Sequence, residues 1–242
     1  MLHITKGIVL KTTKFSETSV VAHIYTEKFG RLSYMINGVR QSKSKFSPAL
    51  LQAFTPLEMV TYYQENKNLQ RLTEIRPLFH LHHIPFEVAR STLALFLAEI
   101  VYRTVKEQEY NPALFLFMEQ TIVRLDNPAD SVANLHLAFL AQLTAFLGFF
   151  PQNNFFHTER AIFDLNEGVF THRLPQHAHY IALPLSERLS KLLQTSIDTC
   201  HTLALDRNQR RELLHGFLQY YQLHIEGMSP IQSLKVMEEV WQ

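Results

Sequence analysis

Arg40, Lys43 and Lys45 place three cations within six residues, separated by Gln41, Ser42 and Ser44, with Gly38 ahead and Phe46 behind. Their chemistry suits a polyanion. Cations track phosphates, and an aromatic face stacks an unpaired base at ~1–3 kcal/mol without demanding a particular sequence. The stretch has no apolar period, so it reads as an exposed loop. The same residue types recur around it: Lys6, Lys11, Lys14, Arg31, Arg71 and Arg76 are interleaved with Phe15, Tyr34, Tyr62 and Tyr63. Some of these aromatics must fill a core. Phe15 and Phe46, at loop edges, are the stacking candidates. The expected nucleic-acid contacts are Lys11, Lys14, Arg31, Arg40, Lys43, Lys45, Phe46 and Arg71.

Other chemistries find no support. A nucleotide-phosphate loop needs closely spaced glycines so that backbone N–H groups can approach the phosphates. Here no two of the seven glycines lie within five residues of each other. No nucleophile elbow, paired-histidine helix motif or Cys-x-x-Cys occurs. Cys200 stands alone, which excludes an internal disulfide and any thiolate cluster. His157, His172, His177 and His179 fall in one non-helical stretch, but only the last two are close in sequence, and structural zinc usually recruits thiolates. The expectation is therefore no catalytic residue, no cofactor and no metal. The rival readings are a metal-dependent hydrolase built on this stretch and an RNA-binding module.

The elements around the loop have a consistent order. Ile4 to Leu10 reads as a strand, with Gly7 where a closing barrel would bend. Val20 to Tyr25 is β-branched and aromatic, and turns through Phe29-Gly30 into a strand whose Leu32, Tyr34 and Ile36 share one face. After the loop, Ser47-Pro48 opens a short helical run to Phe54, serine as N-cap and proline at the first position. Strands at Leu57–Tyr63 and Leu69–Ile75 follow, joined by polar residues 64–68. Five strands with a helix between the third and fourth are the element order of an OB-fold barrel.

At Arg76-Pro77 the apolar period changes from two to 3.6, which places a boundary near residue 80. Pro85 is expected to begin a helix burying Phe86, Ala89, Leu93, Phe96, Leu97 and Ile100. Asn111-Pro112 starts a second, with Leu114, Phe115, Met118, Ile122 and Leu125 inward, and Ser131 caps a third that Gly148 stops. Residues 149–182 break the helical pattern. There Asn166-Glu167-Gly168 marks a hairpin, with Phe155, Phe156, Ile162, Phe163 and Phe170 to hold it. Helices resume at Ser186–Ile197 and Asp206–Glu226, and Ser229 has capping-box spacing for a last helix to Trp241. The reading is α+β: residues 1–80 an OB-fold nucleic-acid-binding domain, residues 81–242 a helical domain with a small hairpin insert.

Charge divides at the same place. Residues 1–80 hold 11 Lys and Arg against 5 Asp and Glu, and residues 81–242 hold 12 against 17, so a net charge of +1 conceals a basic first third. That third faces a polyanion. Lys6, Lys11 and Lys14 break up the apolar run near the N-terminus, so no secretory signal is read. The most apolar segment, residues 135–150, is shorter than the roughly 20 residues a membrane span needs. A soluble cytoplasmic protein with no membrane contact is expected.

Gly7-Ile8-Val9-Leu10-Lys11-Thr12, Glu17-Thr18-Ser19 and Tyr25-Thr26-Glu27-Lys28-Phe29-Gly30-Arg31 resemble the opening of the bacterial RecO recombination-mediator family. Residues 38–46 resemble its basic loop, and Phe217 to Tyr221 with Ser233-Leu234-Lys235 resemble the end of its helical domain. The resemblance implies a non-enzymatic role in DNA repair and recombination. It implies binding and annealing of single-stranded DNA, with double-stranded DNA as a further ligand, and recombinase loading on strands covered by single-stranded-DNA-binding protein. The partners implied are RecR, the acidic tail of single-stranded-DNA-binding protein and, indirectly, RecA. A site for that tail needs cations beside an apolar groove. Arg207 and Arg211, sharing a helix face, are the candidates. Many family members carry four zinc-binding cysteines after the third long helix. This chain has none there, which puts the metal in doubt.

Overall fold

The structure, a computed structural model, describes residues 2–39, 46–156, 159 and 161–241. The expected contacts Arg40, Lys43 and Lys45 lie outside the described residues, as does His157. Packing divides the chain into two units, residues 1–127 with 231–242 and residues 128–230.

The first unit is built on five strands: β1 (Leu2–Lys14), β2 (Val20–Thr26), β3 (Gly30–Ile36), β4 (Pro56–Tyr62) and β5 (Leu69–Pro77). They close into a barrel in the order β1-β2-β3-β5-β4, with β4 returning antiparallel to β1 and β3 parallel to β5. With a 3₁₀ turn at Pro48–Leu51 between β3 and β4, this is the OB fold expected from the sequence. β1 serves both neighbours: Leu2–Ile8 pairs with β4 and Gly7–Lys14 with β2, across a bulge between Val9 and Lys11 that lets one strand curl round the barrel. Gly7 is required by close approach. A Cβ there would lie 2.4 Å from Met59 Sδ and 2.7 Å from Ile24 Cγ2.

Alternation puts Leu32, Tyr34 and Ile36 of β3 in the barrel with Ala22, Ile24, Leu57, Met59 and Leu72. Phe46 is there too, 8% exposed, beside Val20, Val39 and Leu51. The expectation that Phe46 stacks a base is therefore corrected. A small barrel needs a large apolar plug where its chain enters the turn before β4, and Phe46 fills that place. Ser47 precedes the turn without a side-chain cap bond, so proline's fixed φ does the starting.

Three helices pack in the same unit: α1 (Val88–Thr104), α2 (Pro112–Asp126) and, from the far end of the chain, α6 (Ser233–Val240). α2 begins as expected, with the Asn111 side chain accepting the Leu114 N–H at 3.0 Å. α1 begins later than expected, and Phe86 is 81% exposed rather than buried. The reason is Asp126, whose carboxylate accepts the N–H groups of His82, His83 and Ile84, each at 2.8 Å, and holds that stretch as a turn. Ser229 does not cap α6, whose first N–H groups go instead to Glu99 on α1.

The second unit contains α3 (Leu135–Phe146), β6 (Ile162–Asp164), β7 (Val169–Thr171), β8 (Tyr180–Ile181), α4 (Leu185–Leu192) and α5 (Arg207–His224). α3 is apolar all round and correspondingly buried. It starts at Asn134 rather than at Ser131, because the Asn134 amide donates to the carbonyls of Cys200 and Leu203, at 2.9 and 2.8 Å. α5 carries a capping box, Asp206 and Gln209 each accepting the other's backbone N–H. The hairpin forms with Gly168 at φ 69°.

The hairpin is held partly as expected. Phe163 and Phe170 are buried and Phe155 meets Phe170 edge-on at 5.3 Å, but Phe156 is 57% exposed. Hydrogen bonds supply the rest: Asn154 pairs with both backbone groups of Phe170, and Asn153 with both the carbonyl and the hydroxyl of Ser190. Amides occupy this stretch where a zinc site would need thiolates. Among the described residues no three His, Cys, Asp or Glu side chains gather as a metal site. No helix among them is long and apolar enough to cross a membrane.

Candidate nucleic-acid interface

Strand register sets Arg71 beside Tyr62 and leaves Lys14 on a separate run of pairs. Lys14 on β1 lies opposite Val20 on β2, and Val20 opposite Ile36 on β3. The adjacent Met35 lies opposite Arg71 on β5, and Arg71 opposite Tyr62 on β4. Lys14 and Arg71 are exposed, and Tyr62 is 50% exposed. Phe15, next to Lys14, is 66% exposed, so of the two stacking candidates this one is available to a base.

A groove of about 630 Å³ lies over the Met35, Arg71 and Tyr62 pairs, lined also by Asn37, Gln64, Lys67 and Leu69 among others. A polar contact frames it on one side. The Ser19 hydroxyl donates to Asn37 Oδ1 at 3.1 Å, tying the β1–β2 loop to the groove edge. At the other side the β4–β5 loop carries Lys67 into the lining. The chain leaves β3 through Asn37, so the basic stretch 40–45 follows directly from a groove residue.

The remaining cations lie elsewhere. Lys11 sits 4.8 Å above the Tyr102 ring of α1, and Arg31 5.3 Å from the same ring. Arg31 also donates to the Tyr102 carbonyl at 2.7 Å. His23, paired across the sheet from Lys11, completes the cluster 5.0 Å from Tyr102. Burial and then the charges of Arg31 and Lys11 hold the His23 pKa below its ordinary value, so the imidazole adds no charge there at neutral pH. Arg31 on β3 is half-buried against α1, while Lys11 on β1 reaches the Tyr102 ring and stays exposed, a sorting that sequence phase alone does not show. Lys6 pairs with Glu119 at 3.2 Å and Arg76 with Glu58. In the second unit Arg207 and Arg211 are exposed on the first turns of α5.

Tyr62 and Lys67 were missing from the residues expected at the site. The signal for Tyr62 was its outward phase on β4 beside Glu58 and Val60. For Lys67 it was a lone cation in a polar hairpin tip.

The fold and groove together define an OB-fold protein with two cations and an aromatic ring lining a groove on its barrel. Residues 1–80 match the family described as recombination protein O, N-terminal, and residues 85–235 match recombination protein O, C-terminal. Proteins named DNA repair protein RecO are similar along the whole length. That of Bacteroides fragilis is 34% identical over 242 residues and that of Phocaeicola vulgatus 32% over 241, each with 100% of both chains covered. That of Flavobacterium psychrophilum is 33% identical over 239 residues, with 98% of both covered. The chain belongs to the RecO family of recombination and DNA-repair proteins.

Proposed function

We propose that this protein is a non-enzymatic mediator of recombinational repair, acting in the cytoplasm, whose barrel binds and anneals single-stranded DNA. The observation that carries this reading is the groove lined by Arg71, Lys67 and Tyr62, with Lys14 a further exposed cation of the barrel. Cations along such a groove neutralise successive phosphates, while Tyr62 and Phe15 offer faces to unpaired bases. Arg40, Lys43 and Lys45, which follow Asn37 in sequence, are proposed as further phosphate contacts. Lys11 and Arg31, engaged on Tyr102, fasten α1 to the barrel and are left out of the strand path.

Family membership supports the wider role: helping load RecA on strands covered by single-stranded-DNA-binding protein, together with RecR. Duplex DNA is a second ligand through the same phosphate contacts. Arg207 and Arg211 are the proposed contacts for the acidic tail of single-stranded-DNA-binding protein. The test compares binding to single-stranded DNA and RNA of one sequence, then annealing of complementary DNA strands pre-coated with single-stranded-DNA-binding protein. Tighter DNA binding and accelerated annealing are expected. Preference for RNA, or no acceleration, would overturn the proposal.

A further inference from the structure

Gln70 is 3% exposed in the wall of the barrel, an unusual place for an amide. Every polar atom it brings there is used. Its Oε1 accepts the Gln64 N–H at 2.9 Å, and its Nε2 donates to the Gln64 carbonyl at 2.8 Å and the Lys67 carbonyl at 2.6 Å. The Lys67 N–H in turn donates to the Gln64 carbonyl at 3.1 Å. One buried side chain therefore holds both ends of the turn from Gln64 to Lys67, while residues 64–68 are exposed apart from these bonds.

These three hydrogen bonds run to the loop. Gln70 itself pairs through the backbone with Tyr34 of β3, and its neighbour Arg71 with Met35 of β3 and Tyr62 of β4, so the strand pairing does not depend on the amide. A fully partnered buried amide is tolerated, and it fixes geometry because any displacement of the loop leaves donors or acceptors unpaired in the wall. The geometry it fixes is that of Lys67 and Gln64, both lining the groove beside Arg71. A flexible five-residue polar tip would have to be ordered on each encounter with a ligand, and a tip already held is spared that cost.

We infer that Gln70 is a positioning residue for the strand-binding groove: it sets Lys67 in place to meet a phosphate of single-stranded DNA. The inference rests on the groove reading given above, and the test separates the two. Full-length protein is titrated with a fluorescent oligothymidylate over a range of salt, as wild type, Lys67→Ala, Gln70→Met and the double variant. Methionine keeps the length and apolar stem of glutamine and removes its hydrogen bonds. If Lys67 neutralises one phosphate, Lys67→Ala flattens the slope of log affinity against log salt by about 0.7, which is about fivefold weaker binding at 0.1 M salt. Gln70→Met is expected to give most of that flattening while still melting cooperatively, and the double variant no more than Lys67→Ala alone. A wild-type slope in Gln70→Met, or losses that add in the double variant, overturns the positioning role and leaves the groove standing. A wild-type slope in Lys67→Ala overturns both. Should Gln70→Met fail to fold, Gln70→Asn, an amide too short to span the turn, takes its place with the same expected outcomes.

Discussion

The carboxylate of Glu99 on α1 accepts the Ser233 backbone N–H at 2.8 Å and the Ser233 hydroxyl at 2.7 Å, across 134 positions of sequence. It also takes the Gln232 N–H at 3.2 Å and pairs with Arg103 at 3.2 Å. The first N–H groups of a helix have no partners inside it, and here a side chain of another helix supplies the acceptor that caps α6.

That cap makes stability depend on pH. Burial by itself raises the Glu99 pKa, but the hydrogen bonds from Ser233 and Gln232, with Arg103, outweigh it, and the carboxyl titrates below its ordinary value. A carboxyl with its folded pKa below the unfolded one stabilises the fold above the unfolded value, and that contribution is lost as pH falls through the folded value. Glu99→Gln is expected to cost about 1–3 kcal/mol at pH 7, with the difference from wild type closing below about pH 4. Thermal melts from pH 7 to pH 3 check this. Equal melting temperatures at pH 7 would show that Glu99 does not hold α6.

Phe46 gives a stability prediction where a binding one was expected. Its ring is part of the barrel core, so Phe46→Ala should cost about 3–5 kcal/mol in denaturant unfolding. The salt slope of oligonucleotide binding should not change, since no phosphate contact is removed. An unaltered unfolding midpoint with weakened binding would return Phe46 to the interface.

What the sequence revealed follows from which interactions are local. The inward phase of Leu32, Tyr34 and Ile36, the Asn111-Pro112 helix start and the Gly168 hairpin turn each depend on residues a few positions apart, and each is present. Phe46 and Phe86 sit at element edges where no period assigns a face, and there the readings failed. The sorting of cations escaped for a different reason. Lys11 and Arg31 differ from Lys14 and Arg71 in meeting the Tyr102 ring, which lies 71 positions from Arg31. The cap from Glu99 to Ser233 joins α6 to the barrel unit, although the apolar period changes only once, near residue 80.

Arg71 and Tyr62 face each other across β5 and β4, so charge and stacking can be separated at one point of the groove. Arg71→Ala should flatten the salt slope by about 0.7, and Lys14→Ala by the same amount. Tyr62→Ala should leave the slope unchanged while lowering affinity by about 1–3 kcal/mol at every salt concentration. Titrations of the three variants on one oligonucleotide decide it. A Tyr62 variant that binds like wild type would mean its ring meets no base.

The basic stretch after Asn37 carries the largest expected effect. If Arg40, Lys43 and Lys45 each neutralise one phosphate of a single strand, each contributes about 0.7 to the slope, and replacing all three by alanine should flatten it by about 2. Because phosphate contacts carry no base information, the loss should be similar for every sequence tested. Stability should change little, since a polar stretch with no apolar period offers no core side chain to lose. Combining the triple variant with Arg71→Ala tests whether loop and groove form one path. Independent contacts along one bound strand give slopes that subtract, for a total near 2.8, which is roughly four phosphates. If the triple variant keeps the wild-type slope, the loop does not touch the phosphates. If the combined variant flattens no further than the triple alone, Arg71 meets no phosphate once the loop is gone, and the groove is not a separate stretch of the strand's path.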